Sequence, residues 1–269
     1  MAPGNDFFDS YEGQIRSTGW RRYWKLLRLA DAAADARLAP ALKLARGPAC
    51  GIPVQRILVA AVRSPGREAD LDAVLGELSR TRRHRIETAV VDLQPMGKFD
   101  NINRAISGHN LENYDWLLVT DDDVQLPKDF VDLFIYFSYA NRIKVAQPAH
   151  RFLSFASFRV TERHWGSLVR STRFVEIGPI SLLHRDTFGE LLPSPSLRWA
   201  WGLDLFWSHV ARHRGWRMGV VDATPIRHTR PVGATYSHDA ARAEAVEFLT
   251  SRDIRFSRDV VSAGSERLQ

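Results

Sequence analysis

A short apolar run, Trp116 to Val119, passes through Thr120 straight into three adjacent carboxylates, Asp121, Asp122 and Asp123. The run carries β-forming residues and is too brief for a helix of its own, so it predicts a buried strand. Three carboxylates at the end of a buried strand repel one another and are costly there without a cation. An acidic turn leading into a helix is the ordinary alternative, because Asp caps helices well and Pro127 suits a first helical turn. The direct junction of strand and acids, followed by Val124-Gln-Leu-Pro127, favours a metal site.

The flanking segments set the fold around that strand. Arg56 to Val62 predicts a first strand, Glu68 to Arg80 a helix, and Ile86 to Leu93 a second strand. Strand, helix and strand in this order imply parallel pairing with right-handed crossovers. Ligands of such sheets bind beyond the carboxyl ends of the strands. Arg63 and Asp92 fall at those ends, although each also reads as ordinary loop charge or a turn-forming carboxylate. Lys128 to Asn141 predicts a helix whose stripe of Phe130, Phe134, Tyr136 and Phe137 packs into the core. Lys144 to His150 predicts a further strand, and Arg151 to Arg173, without a clear period, either a ligand-side loop or, more simply, an irregular connection. With 269 residues, 45% of them hydrophobic, the chain suits one large α/β domain starting near Gly51.

With these residues in view, the chain resembles the GT-A glycosyltransferases, especially the family 2-like members. Asp121 and Asp123 match the family's Asp-x-Asp, Asp122 its variable position, and Leu126-Pro127 the tail that follows. A hard divalent ion takes oxygen ligands and bridges the phosphates of a nucleotide diphosphate. The resemblance implies a GT-A-like, Rossmann-type mixed sheet flanked by helices, with Mn²⁺ or Mg²⁺ as cofactor. It also places residues such as Arg63 and Asp92 beside the nucleotide base. Gly97-Lys98 and the later Asn103-Arg-Ala resemble the segment crossing under the donor, with Lys98 on a phosphate and Asn103 hydrogen-bonded to the donor. A solvated helix start is the plain reading of the same residues.

Two further clusters extend the match. Trp199-Ala-Trp-Gly-Leu-Asp204 resembles the acceptor-site helix of inverting GT-A enzymes, whose acid removes the acceptor proton, and a Trp-Gly-Leu-Asp motif in a largely uncharacterised GT-A-like family. Ala146-Gln-Pro-Ala and Met218-Gly-Val-Val-Asp-Ala support the second likeness. Helix-dipole pairing is the alternative reading for Asp204. His228 follows the predicted strand at Met218 to Val221 and matches by position the C-terminal metal-ligating His of these enzymes. Arg227 and Arg230 flank it, with planar forks suited to diphosphate oxygens. The resemblance covers roughly Arg56 to Gly233. It implies Asp123 and His228 as metal ligands, Asp121 and Asp122 at the donor, and Asp204 as general base.

The expected organisation is a helical N-terminal extension over 1–50, a GT-A-like domain over 51–240, and a C-terminal helix with a mobile tail over 241–269. In the extension, Trp20, Tyr23, Trp24 and Leu27 fall at helical spacing among Arg21, Arg22, Lys25 and Arg28. That pattern fits either peripheral contact with an anionic membrane or an aromatic face packed on the domain. An Ala-rich helix from Ala32 to Ala45 is expected to break at Pro40 and finish at Gly47-Pro48. The single Cys50 excludes an internal disulfide, and without a secretory h-region the expected location is cytoplasmic, peripheral contact at the inner membrane face being the alternative that the extension leaves open. A net charge of +6 fits anionic ligands, but the Arg residues form no nucleic-acid-binding motif. The expected partners are a nucleotide-sugar donor and a hydroxyl acceptor, a glycan or a lipid-linked glycan. The alternatives are a sugar-nucleotide-binding protein without turnover and a metal-dependent nucleotidyltransferase. The second lacks support, because Arg63-Ser-Pro-Gly is a poor phosphate loop.

Overall fold

The computed structural model of the chain describes residues 23–231, 237–255, 259–262 and 266–268. Trp20, Arg21, Arg22 and Gly233 lie outside these residues. The strands are β1 (Arg56–Arg63), β2 (Arg85–Asp92), β3 (Trp116–Thr120), β4 (Val124–Gln125), β5 (Ile143–His150), β6 (Val169–Thr172), β7 (Ile180–His184), β8 (Arg217–His228) and β9 (Glu266–Leu268). The helices are α1 (Trp24–Ala49), α2 (Glu68–Leu78), α3 (Lys98–Ile106), α4 (Phe130–Ala140), α5 (Phe188–Leu191), α6 (Leu203–Arg214), α7 (His238–Thr250) and α8 (Asp259–Ser262).

The sheet is mixed, in the order β2-β1-β3-β7-β5-β8-β6-β9. β1 pairs in parallel with both β2 and β3, whereas β7 runs antiparallel to β3 and to β5. Alternation along β1 and β3 divides the apolar side chains between two faces. Leu58, Ala60, Leu117 and Val119 join a core with α3, α6 and α7. Ile57, Val59, Trp116 and Leu118 join another with α2, α4 and the end of α1. The result is a mixed sheet covered on both sides, a stable layer arrangement for α/β folds. Phe130, Phe134 and Phe137 of α4 are buried, and Tyr136 packs at its margin.

Three expectations need correction. The segment between Arg151 and Arg173 is not wholly irregular, because it contains β6, which antiparallel pairing with β8 holds in the sheet. The break at Pro40 is also absent: α1 runs unbroken through it to Ala49. Pro40 is exposed, and inward residues on both sides, Leu38 before it and Ala45 and Ala49 after it, are buried against the domain. Tertiary packing of that face outweighs the local preference. Tyr23 and Trp24 do not form this packed face. Trp24 is exposed, and the buried stripe instead consists of Asp31, Ala34, Leu38, Ala45 and Ala49.

Candidate active site

β3 ends at Thr120, and the three carboxylates that follow separate at once. Asp121 donates its backbone N–H to the Pro179 carbonyl and lies 2.7 Å from the Lys98 ammonium. Asp122 turns away into a buried ion pair with Arg67, at 2.7 Å. Asp123 approaches His228, with Oδ2 3.1 Å from Nε2. The register explains that last contact. The two residues of β4 pair with the end of β8, Val124 opposite His228, so the acidic turn and the histidine meet across a short antiparallel ladder. Ser154 Oγ accepts the His228 backbone N–H at 2.8 Å, and the His228 carbonyl accepts from Phe155 N–H, fixing the strand end from the other side.

Lys98 is the first residue of α3, directly after Gly97. A side chain at Gly97 would strike the Leu197 carbonyl oxygen at 2.0 Å, so only glycine lets α3 start here. Gly178 stands beside the carboxylates, where a Cβ would sit 3.0 Å from the Lys98 ammonium and 3.3 Å from Asp121, so those side-chain ends would have to give slightly.

Lys98, Asp121 and His228 share a cavity of about 350 Å³ with Asp204, Glu176, Phe158, Trp199 and Trp201. Asp204 is the second residue of α6, and its carboxylate accepts the Leu205 N–H at 2.8 Å. Burial pushes its carboxyl up to about 7, with the Glu176 charge adding to the effect against local backbone hydrogen bonds. Glu176 accepts from Ser157 N–H, Phe158 N–H and the Thr161 hydroxyl, and so pins the segment that lines the cavity at Ser157 and Phe158. Glu244 of α7 similarly accepts the backbone N–H groups of Arg198 and Trp199.

Asp123 differs from Asp204. Burial raises its carboxyl, but the His228 hydrogen bond and charge, with Arg67 and Lys98 behind them, outweigh burial and leave it below its ordinary value. Asp122 is raised by burial, against a hydrogen bond from Ser64 and the charge of Arg67.

The donor set of Asp123 and His228 fits a divalent cation: one carboxylate oxygen and one imidazole nitrogen, already within reach of a single ion, suit Mn²⁺ and, less well, Mg²⁺. Among the described residues no group of three or more His, Cys, Asp and Glu converges, so two protein ligands leave the other positions to oxygen donors.

The remaining sequence candidates lie elsewhere. Arg63 and Asp92 stand 3.5 Å apart on the exposed ends of β1 and β2. Arg230 is exposed, 3.9 Å from Asp70. Asn103 uses its amide on Ser194, donating to the carbonyl at 2.7 Å and accepting the N–H at 2.9 Å. Arg227, one residue from His228, lines a second cavity with Arg28, Asp31, Asp35 and Arg151. Asp222 forms a wholly buried pair with Arg170 at 2.8 Å, a structural contact. Glu176, Arg67 and Glu244 went unrecognised in the sequence. The one signal for Glu176 is an isolated acid within the apolar run Phe174 to Ile177.

No protein-family model matches this chain. No curated protein sequence matches it either. Among solved structures, GalNAc-T7 with UDP, GalNAc and Mn²⁺ superimposes with a TM-score of 0.54 at 10% identity, covering 73% of this chain and 48% of that one. The chain thus spans about half the length of that protein. The catalytic domain of Drosophila β1,4-galactosyltransferase 7 in complex with xylobiose aligns with a TM-score of 0.46 at 15% identity, over 71% of this chain and 81% of that one. The likeness to GalNAc-T7 establishes the fold: a GT-A-like mixed sheet flanked by helices, with a helical N-terminal segment.

Proposed function

We propose that the chain is a metal-dependent, inverting glycosyltransferase that moves a sugar from a nucleotide-diphosphate donor to a hydroxyl acceptor, close to the family 2-like enzymes. One observation carries this reading. Asp123 and His228 converge at 3.1 Å at the end of β3, and His228 shares its cavity with Lys98, Asp121 and Asp204. Asp123 and His228 would hold Mn²⁺ or Mg²⁺, which would supply positive charge for the departing diphosphate. Lys98 adds a fixed ammonium for a phosphate oxygen. Asp121, salt-bridged to Lys98, orients the donor.

Asp204 takes the proton of the attacking hydroxyl. A carboxyl near 7 is a competent base at neutral pH, since a useful catalytic group titrates near the working pH. Arg63 and Asp92, on the open strand ends, are assigned to the nucleotide base, and the exposed Arg230 to the diphosphate. Asn103, Asp122 and Arg227 are left out, because their side chains are engaged or directed elsewhere. The transferase unit is assigned to 51–240, with α7 clamping its Arg198-Trp199 segment and 1–50 as an extension. The acceptor is assigned to glycans or lipid-linked glycans, and the location to the cytoplasm.

A thermal-shift series with nucleoside diphosphates and sugar nucleotides, with and without Mn²⁺, tests the donor side. A diphosphate at about a hundred times its Kd stabilises the folded chain by roughly 2.7 kcal/mol. That gain should need the metal and vanish in Asp123→Ala. Stabilisation without metal, or one that survives Asp123→Ala, overturns the ligand assignment. Binding with no turnover across an acceptor panel favours a sugar-nucleotide-binding protein instead.

A further inference from the structure

α1 is 26 residues long, and its two sides have opposite chemistry. The inward side is anchored by acids. Asp31 accepts the backbone N–H groups of Phe152 and Leu153, both at 3.0 Å, and lies 3.1 Å from Arg163. Asp35 pairs with Arg163 at 2.9 Å and with Arg151 at 2.8 Å. These are the only acids in the helix, and both are spent on the domain.

The outward side carries none. At about 100° per residue, Leu26, Leu29, Ala33, Ala36, Pro40 and Leu44 form one stripe opposite the buried residues. All six are exposed, and Leu26, Leu29 and Leu44 have 63%, 66% and 77% of their surface open. Lys25 and Lys43 flank this stripe on one side and Arg37 on the other, all exposed. Arg28 stacks over the exposed Trp24 ring at 5.4 Å, near the N-terminal end.

An apolar stripe bordered by cations and free of acids, rigidly held from behind, matches one kind of surface. We propose that the outer face of α1 seats on an anionic lipid bilayer, with the leucines in the acyl boundary and the basic flanks against the headgroups. The charge distribution selects this occupant. A helical protein partner needs apolar burial but gives no reason to move both acids to the inner side, whereas a negative surface does. The helix has no membrane-crossing character, so it lies along the surface. This inference rests on α1 alone and is independent of the transfer reaction.

Co-sedimentation of the full chain with vesicles tests it. Vesicles of phosphatidylcholine with about a third phosphatidylglycerol should bind the protein, and pure phosphatidylcholine vesicles should bind it far less. Binding should weaken as salt rises. Lys25→Ser and Lys43→Ser should each weaken it roughly fivefold, the usual share of one cation near an anionic surface. Leu29→Glu with Leu44→Glu should abolish it, and because both side chains are exposed the fold should be kept, as an unchanged melting transition would show. The proposal is overturned if the intact chain ignores anionic vesicles, or if the double glutamate variant binds them as well as the parent. It is equally overturned if that variant only dissolves a dimer while lipid binding is nil, which would make the face a protein interface.

Discussion

On the β3 side of the cavity each carboxylate has a nitrogen partner: Asp121 lies 2.7 Å from the Lys98 ammonium, and Asp123 lies 3.1 Å from His228 Nε2. On the α6 side, Asp204 has no ion-pair partner among the described residues, and its nearest charged influence is another acid, Glu176. The two sides share one cavity and one residue type, yet they push the carboxyl in opposite directions, Asp123 below its ordinary value and Asp204 up to about 7. A paired carboxylate stays ionised, which suits a metal ligand. An unpaired one, buried beside a like charge, holds its proton into the neutral range, which suits proton transfer. The proposed donor and acceptor sides of the cavity differ in this asymmetry as well as in their residues.

The most direct way to break the comparison is Asp204→Asn, which keeps the shape and removes the basicity. Transfer should fall by roughly 10²–10⁴, the range for a positioned acid–base group, while metal-dependent donor binding persists. Turnover and donor affinity measured on the same variant decide the matter. A near-normal rate with about 0.3–1 kcal/mol lost in stability would return Asp204 to helix-dipole pairing.

A pH series sharpens the same contrast. The native Asp204 carboxyl sits at about 7, above its unfolded value, so the folded chain holds this proton more tightly than the unfolded chain. Its contribution to stability is fully present below the ordinary carboxylate range and is lost as pH rises to about 7. The loss is about 1.4 kcal/mol per pH unit within that window. The stability difference between the parent and Asp204→Asn should therefore change with pH across the window and level off above it. The rate should rise over the upper part of the same window, because only the ionised base accepts a proton. A difference that stays flat from pH 4 to 8 would show that Asp204 is not held protonated.

Much of this site was legible because its members stand at the ends of elements that the sequence announces. Asp121 and Asp123 close an apolar run, Lys98 follows the glycine that opens α3, and Asp204 opens α6. His228 was legible by position after a predicted strand, although that strand proved longer, reaching from Arg217 to His228. The candidates whose side chains turn elsewhere depend on information that local pattern does not carry. Arg227 and His228 are adjacent, but side chains alternate along a strand, so only the register of β8 against β4 decides which one faces Asp123. Asn103 is committed to Ser194, 91 residues away, and Asp122 to Arg67, a partner in the loop after β1. The aromatic end of α1 invited a packing role, yet packing is done by small residues and by Asp31, which finds loop amides and Arg163 more than a hundred residues later.

Arg63 and Asp92 give the smallest expected effect, and they test where the donor side of the comparison ends. Their ion pair spans 3.5 Å between well-exposed side chains, so its loss should leave stability almost unchanged, as for most surface pairs. A contact with the base would be worth one hydrogen bond, about 0.5–1.5 kcal/mol, which is a few-fold to about tenfold in affinity. Arg63→Ala should thus weaken the nucleoside diphosphate by that factor while leaving inorganic pyrophosphate, which carries no base, unaffected. Both titrations are run with Mn²⁺ present, so the Asp123–His228 contribution is common to the two. Equal weakening of both ligands would mean that Arg63 acts on phosphate through its charge. No change in either would place the base away from the ends of β1 and β2, and would confine the donor side to Lys98, Asp121, Asp123 and His228.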